Sequence, residues 1–168
     1  LMVRNSTIEE TRRNARATAM EAAGRLDASL RSVAITTHGL AELAASTTLS
    51  REGRLAALHA MVRATPDASG ALLALEPDAD GKAFAHYVDL VGDGRVFVAD
   101  GYDYRAQPWY RRTLDSDARW WSDPHENRTA GNEWMATYNV RVGDGGGMVS
   151  VDLPLARLVE GVESIAYL

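Results

Sequence analysis

Apolar positions over the first 45 or so residues recur with a helical period and meet no internal proline. From Leu26 they fall at Leu26, Leu30, Val33, Thr37, Leu40 and Ala44, in alternating steps of four and three with one polar member. That spacing is a heptad seam and predicts a long helix. Upstream the stripe shifts to Ile8, Ala15 and Ala22, so the seam slips rather than continuing. A helix of this length cannot bury every face against a small domain. Part of it is expected to be solvated or paired with a second chain. Ser46-Thr47-Thr48-Leu49-Ser50 interrupts the pattern, and Ser50 is placed to cap a second helix with Leu55, Leu58 and Val62 on one face. Pro66 stops it.

Beyond Pro66 the period shortens to that of strands. Gly70 to Glu76 is one apolar run, ending at Pro77. Phe84 to Val91 and Arg95 to Ala99 flank Gly92-Asp93-Gly94, a hairpin turn. Pro108 to Leu114 is expected to be a short helix with proline in its first turn, where the missing amide costs nothing. Trp134 to Val142 and Met148 to Leu153 form a second hairpin around a glycine-rich turn at 143–147, and a last helix runs from about Pro154 to Tyr167. Strands joined by hairpins predict an antiparallel sheet flanked by helices, an α+β fold with a long N-terminal helix. Two parts are expected: the helix at 1–48 and a compact module at 49–168.

Composition narrows the chemistry. The chain has 168 residues, enough for one domain with a real core. It has no cysteine, which excludes disulfides, thiolate zinc sites and cysteine nucleophiles. No apolar run approaches the roughly 20 residues of a membrane helix. Leu1-Met2-Val3 lacks the order of a signal peptide and is expected to be either the end of a removed membrane span or a tag remnant. The balance of charge is +3 over residues 1–65 and −8 over 66–168. An acidic second half argues against a nucleic-acid partner, whose affinity would come from clustered cations.

The catalytic and metal motifs fail on spacing. Counting from Glu76, a calcium loop would need a carboxylate where Tyr87 stands, and neither glycine turn is a phosphate loop. Asp123, His125 and Glu126 are too close in sequence to converge without a special loop, and no second histidine lies at helical spacing. No cofactor, metal or catalytic residue is expected. A hydrolase using His125 with Asp123 is the weak enzymatic alternative, and a ligand-free dimerisation module the structural one. The aromatic residues carry more. Eight of twelve lie between Tyr102 and Tyr138, among Asp103, Arg105, Gln107, Asp123, His125, Asn127 and Asn139. Rings with convergent polar groups suit a pocket for a small polar molecule.

Four blocks carry a family resemblance: Asp103 to Tyr110 (DYRAQPWY), Trp121 to His125 (WSDPH), Met135 to Tyr138 (MATY) and Met148 to Leu153 (MVSVDL). Together, in this order, they resemble the extracytoplasmic Cache sensor family, PAS-like (PDC) domains of bacterial chemoreceptors, histidine kinases and membrane-bound phosphatases. The similarity covers roughly residues 5–165. It implies a PAS-like central antiparallel sheet with a ligand over one face, beneath the segment carrying Trp109 and Tyr110. It implies that Asp152 takes the ammonium in amino-acid-binding members, a charge-assisted bond.

Two departures qualify the ligand. Gln107 stands where those members carry a carboxylate-binding Arg, and His125 where they usually carry Tyr; Arg105 would substitute only with a rearranged loop. A neutral amide cannot replace a bidentate guanidinium. The expected ligand is therefore an amine or other small polar molecule. The expected site is Trp109, Tyr110, Gln107, His125 and Asp152, with Tyr102 a weaker member; His125 would make binding pH-sensitive. The resemblance further implies a parent protein anchored in the inner membrane with this part periplasmic. The chain would be a single module or the distal half of a double one. The heptad seam implies a homodimer through the N-terminal helix.

Overall fold

The computed structural model describes residues 2–79, 81–82, 84–90, 96–98, 103–127 and 132–159. Two helices come first, α1 (Met2–Ala45) and α2 (Arg51–Ala64). The Ser50 hydroxyl caps α2 by accepting from the Gly53 amide, as its position predicts. Seven strands follow, β1 (Gly70–Leu75), β2 (Phe84–Asp89), β3 (Val96–Val98), β4 (Arg119–Trp121), β5 (His125–Asn127), β6 (Glu133–Arg141) and β7 (Gly147–Pro154). A short 3-10 turn (Tyr104–Ala106) and α3 (Pro108–Asp115) lie between β3 and β4. Residues 155–159 are helical; the rest of the predicted last helix, and the turn at 92–94, lie outside the described residues.

The strands form one antiparallel sheet in the order β3-β2-β1-β7-β6-β4, with β5 also on β6. The fold is α+β, as expected. Side chains alternate across it, giving two faces of different character. Ala71, Leu73 and Leu75 of β1 and Val149, Val151 and Leu153 of β7 join Leu58 and Val62 of α2 in the main core. The opposite face carries Leu72 and Ala74 of β1, Met148, Ser150 and Asp152 of β7, and Thr137 and Asn139 of β6. α3 covers one end of it, where Tyr104 and Tyr110 pack on Ala74, Ala85 and Met148.

The seam of α1 lies against this sheet. Val33, Leu40, Ala41 and Ala44 are buried members of the main core, Thr37 is fully buried, and its hydroxyl donates to the Val33 carbonyl. Leu30 packs on the same core, and Leu26 alone of the seam is largely exposed. The expectation that these residues pair with a second chain is therefore corrected: they are spent within the chain. Heptad spacing marks a continuous apolar stripe, and a sheet accepts such a stripe as readily as another helix does. Polar links fix the helix in place: Ser29 to Asp67, Thr36 to Thr65, and His38 Nε2 to the Tyr138 hydroxyl at 3.2 Å. Residues 7–28 lie mostly exposed.

The glycine turn between β6 and β7 is required by space as well as conformation. Gly147 has φ of +133°, and a Cβ there would lie 2.6 Å from the Leu75 Cα. Gly147→Ala is expected to lower unfolding free energy by at least about 2 kcal/mol, read from the denaturant midpoint. Val33→Asp is expected to cost about 4 kcal/mol or more by burying an unpaired charge, read from the denaturant midpoint.

Candidate functional site

Asp152 is the residue from which the site is built. It sits on β7, on the face away from α1, opposite Gly70 of β1 on one side and Thr137 of β6 on the other. It is 4% exposed. Each carboxylate oxygen holds a hydroxyl: Thr137 Oγ1 donates to Oδ1 at 2.6 Å, and the Tyr87 hydroxyl donates to Oδ2 at 2.7 Å. Tyr87 in turn accepts from Asn127 Nδ2 of β5 at 3.3 Å. Among the described residues no Lys or Arg forms an ion pair with Asp152.

The electrostatics follow from that arrangement. Burial pushes the Asp152 carboxyl above the ordinary carboxylate range, opposed by the bonds from Thr137 and Tyr87 and by nearby His125, while Asp89 adds to the rise. Burial likewise pushes the Tyr87 hydroxyl up, with the Asp152 charge adding to it. Tyr87 therefore stays a neutral donor across the working range.

The two rings of the expected pair lie on the same face of the sheet as Asp152 but farther along it. Tyr110 is fully buried over Met148, four residues from Asp152 on β7, or roughly 13 Å at the rise of an extended strand. Its hydroxyl donates to Glu76 Oε1 at 2.8 Å, and its ring meets Tyr104 edge-on at 5.2 Å. Burial, with the Glu76 bond and charge beside it, pushes that hydroxyl up as well. Trp109 is half-buried and edge-on to Tyr110 at 6.0 Å. Between these rings and Asp152 lies a polar strip, with Ser150 and Asn139 buried opposite each other and Trp120 next in the row.

The remaining expected residues fall out as follows. Gln107 precedes α3, and its amide donates to the Asp103 carbonyl at 3.1 Å. Arg105 pairs with Glu76 at 3.2 Å, so it is committed away from a ligand carboxylate. His125 is exposed on β5, with Nδ1 beside Ser122 Oγ at 3.3 Å and the backbone oxygen of Asp123 at 3.1 Å. The ring meets that carbonyl, not the Asp123 carboxylate, so the acid–base pair of the hydrolase alternative is not assembled. Among the described residues no three His, Asp or Glu side chains converge on a metal position. Tyr102 lies outside the described residues.

Tyr87 and Gly70 were missed by motif reading, and Thr137, within the Met135 to Tyr138 block, was assigned no role. The alternation of β2 contained the signal, since it sets Ala85, Tyr87 and Asp89 on the face opposite Phe84 and Val88. A separate cleft of about 320 Å³ lies between α1, the α2–β1 loop and residues 157–158, lined by Arg25, Ser29, Asp67 and Arg157. Three of these four polar side chains are engaged, Ser29 with Asp67 at 2.7 Å and Arg25 with Glu21 at 2.8 Å. A buried carboxylate that no Lys or Arg pairs among the described residues makes the Asp152 face the better candidate.

The comparisons with known proteins agree with this architecture. A family model described as the first PDC sensor domain of methyl-accepting chemotaxis protein-like proteins matches residues 55–160. A solved structure described as the extracellular domain of a histidine kinase, soHK1S-Z6, is 28% identical, with 94% of this chain and 66% of that one covered and a TM-score of 0.73. The ligand-binding domain of Campylobacter jejuni chemoreceptor Tlp3, in complex with L-norvaline, is 16% identical over 96% of this chain and 64% of its own, with a TM-score of 0.67. That of the Pseudomonas aeruginosa PAO1 amino acid chemoreceptor PctC, in complex with GABA, is 18% identical over 88% and 62%, with a TM-score of 0.62. At those last two identities the likeness is one of fold. The chain spans less than two thirds of the length of each of these three structures. No curated protein sequence matches it significantly. No helix among the described residues is long and apolar enough to cross a membrane. With more than half of its length matched by that model, and the sheet and leading helix shared with sensor domains of kinases and chemoreceptors, the chain belongs to the PDC (Cache-like) sensor domains of the methyl-accepting chemotaxis protein-like family.

Proposed function

We propose that this domain is the extracytoplasmic sensor of a membrane-anchored receptor and that Asp152 receives the cationic nitrogen of a small polar ligand. The observation that carries the reading is a buried carboxylate held by two neutral hydroxyls and, among the described residues, paired with no Lys or Arg. Burying an ionised carboxylate costs several kcal/mol unless a charge compensates it. The hydroxyls orient the group and offset part of that cost, but they leave its charge unpaired. An ammonium that arrives with the ligand completes the pair. L-norvaline and GABA, the ligands named with two structural relatives, both carry such a group. The polar strip of Ser150 and Asn139 leads from Asp152 toward Trp109, where the rest of a small molecule would lie. With Gln107 in place of a guanidinium and Arg105 held by Glu76, the ligand is an amine rather than an ordinary α-amino acid. Such a domain binds and signals without chemistry. A homodimer through α1 fits the same reading on residues 7–28, which the sheet leaves exposed.

Calorimetry with ethanolamine and GABA tests the reading. Asp152→Asn is expected to weaken binding at least about 30-fold, the scale of breaking a buried charge pair. Equal affinity in wild type and variant would defeat it. Binding is also expected to weaken as pH falls through the raised pKa of Asp152, because the protonated acid offers no charge.

The same group marks the ligand-free domain. Its folded pKa lies above the unfolded value, so its ionisation penalty is absent below the unfolded pKa of about 4, grows above it and is complete once pH has passed the folded pKa. The melting temperature of wild type is therefore expected to fall relative to Asp152→Asn as pH rises from about 4 through that window. A difference that stays constant with pH would show that Asp152 does not titrate in that window.

A further inference from the structure

We propose that Gly70 and Tyr87 form one positioning unit for the ligand-binding carboxylate. The bare Cα of Gly70 lets the Tyr87 hydroxyl cross β1 and fix one oxygen of Asp152, leaving lone pairs that suit a primary ammonium. The proposal rests on the reading of Asp152 as the ligand's anchor, and adds to it the residues that set its orientation and selectivity.

The geometry is specific. Tyr87 is on β2 and Asp152 on β7, with β1 between them, a separation of two strand spacings or roughly 10 Å. Their partners on β1 differ, Leu72 for Tyr87 and Gly70 for Asp152, so the phenol must lean diagonally over β1 to make its bond. It passes directly over Gly70. A Cβ at that position would fall on the Tyr87 hydroxyl, 2.8 Å from its Cζ and 2.9 Å from the Val88 carbonyl oxygen. Gly70 has no left-handed φ, so its backbone conformation does not call for glycine. The space does.

The direction of the bond is also set. Asn127 Nδ2 donates to the Tyr87 oxygen, which turns the phenolic hydrogen toward Asp152. A carboxylate has about four lone-pair positions, and Tyr87 and Thr137 take one on each oxygen. The positions left suit a primary ammonium with several N–H donors. A quaternary ammonium has no donor to place there. Tyr87 is thus a positioning residue acting through Asp152, and Gly70 acts through Tyr87.

The test uses the whole domain and reads Asp152 directly. Among the described residues, the titratable groups acting on the carboxylate are Tyr87 and Asp89 of β2 and His125 of β5. Carboxyl carbon resonances of Asp152 are followed by NMR against pH in wild type, Tyr87→Phe, Gly70→Ala and the double variant. Losing a bond that favours the charged form is expected to raise the midpoint in Tyr87→Phe and in Gly70→Ala, with no further rise in the double variant. In the same proteins GABA is titrated beside its N-trimethyl analogue. Tyr87→Phe is expected to bind GABA about tenfold more weakly and to lose preference over the analogue. An Asp152 midpoint unmoved by Tyr87→Phe overturns the proposal, and so do fully additive shifts in the double variant. If Gly70→Ala fails to fold, Tyr87→Phe alone decides. If the midpoints move together but neither amine binds wild type, the ligand reading fails while the positioning unit stands.

Discussion

A carboxylate removed from water and held by two neutral hydroxyls is the constraint around which this sheet is arranged. An apolar residue at 152 would bury without cost, whereas the acid demands donors on both oxygens. Strand register supplies them. Thr137 lies directly across from Asp152 on β6, and Tyr87 reaches in from two strands away. Because side chains alternate, a slip of one residue in β7 would exchange Asp152 for Val151 and put the charge into the main core. The same register that packs Val149, Val151 and Leu153 against α1 and α2 therefore delivers the acid to the other face.

The two faces divide the work of stability and recognition. On one, aliphatic strands meet two helices in a continuous core. On the other, a smaller apolar cluster sits at one end, where Tyr104 and Tyr110 anchor α3. Tyr104 donates to the Leu75 carbonyl and Tyr110 to Glu76, which also holds Arg105. These bonds fix the height of Trp109 above the sheet without using any atom of the Asp152 cluster. Rigid ends and a polar middle are what a small-molecule site requires.

Much of this was legible in the chain. The β6–β7 hairpin announced itself by its glycine turn, Ser50 and Pro66 bounded α2, and the proline-led block at Pro108 became α3. The short strands β4 and β5 were not visible, because three-residue edge strands carry too few alternations to stand out from the polar segment around them. The seam of α1 was read correctly as apolar, but its burial against the sheet was not foreseen, since spacing fixes which side is buried and not what buries it. At the site, resemblance pointed to Asp152 and the Trp109–Tyr110 pair. The donor Tyr87 and the Gly70 beneath it escaped notice because they belong to no motif. They meet only through the pairing of three strands, which is a property of register rather than of any segment.

Consecutive residues of β6 point to opposite sides: Thr137 grips Asp152, while Tyr138 touches His38 of α1 and stacks near Trp121. One peptide bond thus separates the contact made to the acid from the contact made to the long helix. From His38 back to Met2 that helix extends about 54 Å at the α-helical rise. A rigid rod pivoting by about 3° at His38 would carry its far tip through roughly 3 Å at that rise per residue. The molecule is therefore built like an indicator needle, with a short arm at the sheet and a long one beyond it.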